Sequence, residues 1–314
     1  MPKEIRYISL MSELGAGTRG ASLGFDSLRL ASFDKDSDFF NRYPIIKVPH
    51  FNEQLFQANT DKSAIRLGHI LEVFKQTTQA VSSELREGRF PVVFSGDHSN
   101  AAGTIMGIKD ALPNKRLGVI WIDAHADLHS PFTSPSGNVH GMPLAMSIAD
   151  DNQEMKINDP VPSTIDIWNT IKGEKARVKP EDLFFVGVRD TEAPEDHLMA
   201  KYSMPNITTA ELREMGSKAV AEKALSHLND CDIIYISFDV DSMDPSISKG
   251  TGTPVPGGLT KEEARVLMQE LVKSPKICCL ETTEINPLLC DKGNAMAEAA
   301  FDVLKPVIEE IEKN

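Results

Sequence analysis

The sequence predicts an α/β fold built on one doubly wound, mostly parallel sheet. Three observations predict it. Short apolar runs rich in β-branched and aromatic residues alternate along the chain with longer segments of helical spacing. No two runs are joined as a hairpin with period-2 alternation, so successive strands need crossovers. Several runs end abruptly in carboxylates or imidazoles, as expected where the carboxyl ends of parallel strands open on a ligand. The chain has 314 residues, 41% of them hydrophobic, enough for a sizeable core. It has neither an internal repeat nor a linker, so one domain over residues 1–314 is expected.

Residues 5–10 read as the first strand. Gly15-Ala16-Gly17-Thr18-Arg19-Gly20 follows, a G-x-G-x-x-G. A dinucleotide site needs those glycines at the strand-to-helix turn itself. Here they lie well past the strand, and a helix begins only near Asp26, so the segment reads as a flexible loop walling an active site. Thr60 or Asp61 is a candidate cap for a long helix, with Ala64, Leu67, Ile70, Leu71 and Phe74 at helical spacing and Gly88 as its stop. Residues 91–94 form a strand ending in Ser95-Gly96-Asp97-His98-Ser99, and a helix covers 100–112. Residues 117–122 are the next strand. Residues 151–180, polar and irregular, read as a peripheral loop with a short helix around 165–171. A strand at 183–188 ends in Arg189-Asp190-Thr191-Glu192, and helical patterns follow at 210–215 and 218–228. Residues 233–238 form a strand running into Asp239-Val240-Asp241. Thr260 with Glu263 is a capping box for another helix. Residues 277–280 are the last strand, and the closing helix contains Pro306, which predicts a kink.

Charge and composition narrow the partners. A formal net charge of -13 argues against a general nucleic-acid surface and is compatible with a small cationic substrate. Cys231, Cys278, Cys279 and Cys290 show no C-x-x-C spacing and read as reduced thiols. The first ten residues lack the apolar core of a signal peptide. No apolar run approaches the roughly 20 residues of a spanning helix. A cytoplasmic protein without membrane or nucleic-acid partners is expected.

The chemistry concentrates after the 117–122 strand, in Asp123-Ala124-His125-Ala126-Asp127. In extended chain, alternate side chains share a face, so Asp123, His125 and Asp127 can converge. Asp239 and Asp241 repeat the spacing at another strand end, where two carboxylates repel unless a cation lies between them. His98 ends a third strand. Four of the eight histidines fall between His98 and His140. The six ligands His98, Asp123, His125, Asp127, Asp239 and Asp241 exceed what one tetrahedral zinc takes and suit two divalent ions sharing bridging carboxylates. Oxygen-rich ligation with some imidazole favours Mn(II).

The segments SGDHS (95–99), DAHAD (123–127), SGNVHGMP (136–143), SFDVDSMDP (237–245), TGTP (251–254) and EINP (284–287) resemble, in order, the motif set of the arginase family of ureohydrolases. The Gly-rich segment 14–29 is similar to the family's N-terminal loop. The resemblance implies a three-layer α/β/α fold, two Mn(II) per chain and a trimeric or hexameric homo-oligomer. One ion would be held by His98, Asp123, Asp127 and Asp239, the other by His125, Asp123, Asp239 and Asp241, with water activated between them as the nucleophile. Asp127 would orient that water, Glu284 would lie beneath the substrate guanidinium, and His140 would shuttle a proton to the leaving amine.

Within the family, the Ser136–His140 segment resembles the arginase branch, whose loop binds an amino acid's α-carboxylate. Ser134, Ser136 and Asn138 are then carboxylate donors, Glu192 and Glu195 face the α-amino group, and Thr253 touches the substrate. Three residues depart from the family's usual pattern: His129 stands where many members have asparagine, Glu192 replaces an aspartate, and Ser95 replaces a glycine. His129 is expected beside Ser136 and Asn138, reinforcing the carboxylate contact. The implied reaction is hydrolysis of L-arginine to L-ornithine and urea. The alternatives are an agmatinase, a formimidoylglutamase, or a homologue that binds metal without turnover.

Overall fold

The structure, a computed structural model, describes residues 3–59 and 61–314. Eight strands, β1 (Ile5–Leu10), β2 (Ile45–Lys47), β3 (Phe90–Ser95), β4 (Leu117–Ile122), β5 (Leu183–Val186), β6 (Asn206–Ile207), β7 (Ile233–Asp239) and β8 (Ile277–Thr283), form one sheet ordered β2-β1-β3-β8-β7-β4-β5-β6. Every registered pair among the described residues is parallel. The α-helices are α1 (Gly24–Phe33), α2 (Leu67–Arg86), α3 (Asn100–Ala111), α4 (Pro143–Ile148), α5 (Pro162–Lys172), α6 (Ala193–Lys201), α7 (Thr209–Met215), α8 (Ser217–His227), α9 (Lys261–Val272) and α10 (Ala295–Lys313).

Period-2 alternation splits each central strand between two apolar layers. Ile5 and Tyr7 of β1, and Ile120 and Ile122 of β4, face a layer closed by α1, α8, α9 and α10. Ile8 and Leu10, and Val119 and Trp121, face the other, closed by α2, α3, α4 and α5. Helices on both faces make the expected three layers, and the central strands, buried on both sides, read as continuous apolar runs for that reason. The winding positions the site. From β3 the chain crosses to β4, three positions away, and β8 and β7 later fill the gap. The carboxyl ends of β3, β8, β7 and β4 therefore lie side by side, although they are far apart in sequence.

Three local expectations need revision. The long helix starts at Leu67, behind Arg66 in the left-handed region, rather than at 60–61. Thr60 lies outside the described residues. The Asp61 carboxylate instead accepts from Ser63 N (2.8 Å), Ser63 Oγ (2.6 Å) and Val161 N (3.1 Å), which caps a turn and ties it to α5. The first helix starts at Gly24, two residues before Asp26. The 151–180 region carries the expected short helix, α5, but its Trp168 and Ile171 are fully buried, which makes it part of the core. The Thr260–Glu263 capping box forms, with Glu263 N donating to Thr260 Oγ1 (3.1 Å) and Thr260 N to Glu263 Oε2 (2.8 Å). Gly88 follows α2 at φ 77°, where a side chain would be strained. All four cysteines are free thiols. Among the described residues, no helix is long and apolar enough to cross a membrane.

Candidate active site

The polar residues that end the central strands meet in a cleft of about 250 Å³ at the carboxyl edge of the sheet. His98, one turn past β3, points Nδ1 at three carboxylates: Asp123 Oδ2 (2.9 Å), Asp127 Oδ2 (3.1 Å) and Asp239 Oδ2 (3.1 Å). Its ring stacks on Trp121 of β4, with centroids 4.0 Å apart and planes 5° from parallel. His125 Nδ1 faces Asp241 Oδ2 (3.0 Å) and Asp123 Oδ1 (3.5 Å). Backbone donors hold the carboxylates in place: His125 N to Asp123 Oδ1 (2.8 Å), Asp241 N to Asp239 Oδ1 (2.8 Å) and Ala124 N to Asp241 Oδ1 (3.1 Å). Asp127 sits at φ 50°, a turn that brings it back over the site.

This donor set fits cations. His98 with Asp123 and Asp239, and His125 with Asp123 and Asp241, form two groups whose ligand atoms lie within 4.8 Å of one another, and Asp123 belongs to both. His98 Nδ1 and Asp123 Oδ2 are buried, and among the described residues neither finds a hydrogen-bond partner of good geometry. A buried polar atom in that state is stable only when something else satisfies it. The electrostatics agree. Burial, then Asp241 and Asp123, push Asp239 well above the ordinary carboxylate range, and burial with Asp123 raises Asp241 to about 6. Burial works against a charged His98, but the facing carboxylates outweigh it and raise it well above its usual value. Protons thus stand in for positive charge among crowded carboxylates, a role that divalent ions fill directly.

Behind this cluster, Glu284 is buried at φ 66° just past β8. Its Oε1 accepts from His98 N (3.0 Å) and faces His140 Nδ1 (3.3 Å). Burial opposes protonation of His140, yet Glu284 outweighs it and lifts His140 to about 9. The Gly-rich segment, expected as a flexible loop, is fastened beside these residues: Gly15 N donates to Asp97 Oδ2 (2.9 Å), and His140 N donates to Gly15 O (3.2 Å). A Cβ on Gly15 would lie 2.6 Å from Ser99 Oγ and 2.7 Å from Asp97 Oδ1, so only glycine lets the loop approach this closely.

Ser134, Ser136 and Asn138 also line the cleft, and Asn138 lies against the Gly-rich segment, where a Cβ on Gly17 would come within 2.7 Å of its Nδ2. Ser134 Oγ accepts from Gly137 N (2.9 Å) and Ser136 Oγ from Asn138 N (3.2 Å), which leaves each hydroxyl proton available to a ligand. Thr253 Oγ1 donates to Asp241 Oδ2 (3.1 Å). His129 is where the sequence reading needs correction. It lines the same cleft, but its Nε2 turns to Glu192 Oε2 (2.8 Å) and Glu195 Oε2 (3.6 Å). Nε2 thus faces the start of α6, while Nδ1 lies 3.2 Å from Thr133 Oγ1, next to Ser134. Burial lowers its pKa despite Glu192. Glu195 is itself held, accepting from Leu128 N (3.2 Å) and Glu192 N (3.1 Å), and burial with Asp127 raises it to about 8.

Three contributors escaped the sequence reading. Asp97 is fully buried and ties Gly15 to Ser99, and burial with Glu284 pushes it up to about 6. Its position beside His98 was the available signal. Arg189, past β5, spans the rim with bonds to Asp241 O (2.9 Å) and Val255 O (2.8 Å). Trp121 supports His98, but in sequence it is one more apolar strand residue.

The model of the arginase family matches residues 6–308 of this chain. The chain belongs to the arginase family. It is 32% identical to the arginase of Bacillus subtilis (strain 168) over 310 residues, covering 98% of both chains. It is 33% identical to the arginase of Bacillus caldovelox, covering 96% of this chain and 97% of that one. The native structure of the latter at pH 5.6 superposes with a TM-score of 0.83, covering 98% of each chain at 31% identity. Entamoeba histolytica arginase in complex with L-ornithine gives 0.82, covering 98% of each at 27% identity. As a member of this metal-dependent family, the chain is a ureohydrolase, and its fold is the family's three-layer α/β architecture.

Proposed function

We propose that this arginase-family enzyme hydrolyses the guanidinium group of L-arginine to L-ornithine and urea with two Mn(II) bound per chain, as one domain over residues 1–314 of a cytoplasmic homo-oligomer, a trimer or hexamer. The observation that carries the reading is the pair of ligand groups joined at Asp123, opening on a cleft lined both by the hydroxyls of Ser134 and Ser136 and by the carboxylates of Glu192 and Glu195. His98, Asp123, Asp127 and Asp239 would hold one ion, and His125, Asp123, Asp239 and Asp241 the other. Six ligands with four carboxylates balance the charge of two M(II) ions, and their oxygen-rich chemistry favours manganese. When bound, the pair supplies water activation, lowering water's pKa from 15.7 toward about 7.

The protein's own groups do the rest. Asp127 orients the attacking water. Glu284, buried behind the ligands, pairs with the substrate guanidinium through charge-assisted hydrogen bonds. His140, kept protonated by Glu284, delivers a proton to the nitrogen that leaves as the ornithine amine when the carbon–nitrogen bond breaks. Ser134, Ser136 and Asn138 receive the α-carboxylate, Glu192 and Glu195 face the α-ammonium, and Thr253 steadies the rim through Asp241.

The test is urea release from L-arginine, agmatine and formimidoylglutamate by Mn(II)-loaded protein. Preference for L-arginine supports the proposal. Preference for agmatine or formimidoylglutamate would overturn it in favour of another ureohydrolase, and absence of turnover on all three would overturn the catalytic reading. Light scattering in the same buffer reads the assembly.

A further inference from the structure

Residues 252–256 pass the cleft, which Thr253 lines. Pro254 and Pro256 have no N–H, so the segment cannot be laced into a helix or a sheet. Among the described residues its main chain hydrogen-bonds to one side chain alone, that of Arg189. Arg189 Nη2 donates to Val255 O (2.8 Å) and Nε to Pro256 O (3.2 Å). The same guanidinium donates to Asp241 O through Nη2 (2.9 Å) and to Gly187 O through Nη1 (2.9 Å). Its main chain continues the pattern: Arg189 N (2.9 Å) and Asp190 N (3.0 Å) both donate to Ala124 O, between Asp123 and His125. One half-buried residue thus ties together the turn after β4, the turn after β7 and the segment at Thr253, which lie far apart in sequence. Every hydrogen bond of the guanidinium among the described residues ends on a main-chain carbonyl, so what it fixes is the path of the chain. A planar fork of N–H groups suits this task. A lysine ammonium is a point charge with three donors for these four carbonyls.

We propose that Arg189 is a positioning residue for one ion of the pair, holding the main chain at Asp241 and the segment at Thr253 so that the Asp241 carboxylate meets His125 and Asp123 around one cation. The inference rests on the metal-centre reading above. Asp241 Oδ1 accepts from Ala124 N (3.1 Å) and Oδ2 from Thr253 Oγ1 (3.1 Å). Both oxygens are therefore aimed by segments that Arg189 fastens. Without its guanidinium, residues 252–256 lose every main-chain hydrogen bond they make among the described residues, Thr253 leaves Oδ2, and the carboxylate is free to turn. His98, Asp123 and Asp239 form the other ligand group, and none of their side chains bonds to Arg189 or to residues 252–256. The effect therefore falls on one ion. Partners behind a metal ligand typically change affinity 10–100-fold when lost.

The test titrates metal-free protein with Mn(II), reading free Mn(II) by electron paramagnetic resonance, and follows hydrogen exchange over residues 251–259 by mass spectrometry in the same metal-free samples. Wild type should show two binding events. Arg189→Ala should weaken one by about 10–100-fold, leave the other unchanged and speed exchange across the segment. Arg189→Lys keeps the charge and loses the fork. It should behave as Arg189→Ala does, and it serves if the alanine variant fails to fold. In Asp241→Ala, where one event remains, adding Arg189→Ala should change that event no further. Arg213→Ala frees Gly258 O, just past the same segment, from a 2.7 Å bond without touching Asp241, and should leave both Mn(II) affinities as in wild type. Wild-type affinities in Arg189→Ala, equal weakening of both events, or full affinity in Arg189→Lys would overturn the proposal. A wild type that takes up no Mn(II) would overturn the metal-centre reading instead, and the exchange rates would still decide whether Arg189 fastens the segment.

Discussion

His129→Asn separates the two ends of the substrate. In the structure His129 Nε2 lies 2.8 Å from Glu192 Oε2, so the α-ammonium proposed to bind here would compete with it for that oxygen. The Glu192 side chain is 53% exposed, so the pair is screened and contributes about 0.2–1 kcal/mol. Asparagine is too short to reach Glu192. Freeing that carboxylate should therefore lower KM by about 1.4–5-fold, since RT is about 0.59 kcal/mol. Agmatine carries the same amine as L-arginine and lacks only the carboxylate. Both substrates should gain by the same factor, leaving their ratio of kcat/KM unchanged, whereas Ser136→Ala or Asn138→Ala should weaken L-arginine alone. Steady-state kinetics on both substrates decides the matter. A loss in His129→Asn confined to L-arginine would refute this reasoning and return His129 to the carboxylate loop, where the sequence reading had it.

Other expectations follow from the same geometry. Elemental analysis of Mn-reconstituted protein should find two ions per chain in wild type, none in Asp123→Ala and one in Asp241→Ala, because Asp123 belongs to both ligand groups; one ion in wild type would exclude the two-metal arrangement. His140→Asn should keep its metal while kcat falls by about 10²–10⁴-fold. Wild-type kcat should decline as pH rises through about 9, where His140 loses its proton, and an unaltered profile in the variant would make His140 structural. The metal-free protein should lose stability as pH rises. His140 (6.5 to about 9), Glu195 (4.5 to about 8) and Asp97 (3.8 to about 6) all bind protons more tightly folded than unfolded, so their contributions are complete below the unfolded values and gone above the folded ones. Thermal melting between pH 5 and 9 checks this, and a melting temperature that rises with pH would contradict it.

What could be read without coordinates was what period and spacing encode. The strands at Ile5–Leu10 and Leu117–Ile122 are long apolar runs buried on both faces, and their limits agree with the sequence reading. The carboxylates at Asp123, Asp127, Asp239 and Asp241 announce convergence because two-residue spacing puts them on one face. β2, three residues long and partly exposed, and β6, two residues including Asn206, carry no such pattern, since their pairing comes from neighbours in the sheet. The start of α2 was misplaced because Asp61 has the chemistry of a helix cap but uses it on Ser63 and Val161, contacts made by tertiary packing. The direction of His129 was hidden for the same reason. Its identity marks a polar site, but the choice between the Ser136 loop and α6 depends on a turn made by Asp127 at φ 50°.

The order of the strands has a consequence for how the enzyme is made. β3 and β4 emerge early from a ribosome, yet each lacks a neighbour until β7 and β8 arrive to fill the space between them. Until then a nascent chain carries two exposed parallel edges and His98, Asp123, His125 and Asp127 without Asp239 or Asp241. Such edges invite pairing with other chains, and parallel pairing over so long a sequence separation is slow. Synthesis therefore passes through a stage in which most of a candidate cation site exists beside an unfinished sheet, and the polypeptide from Ile233 onward closes both at once.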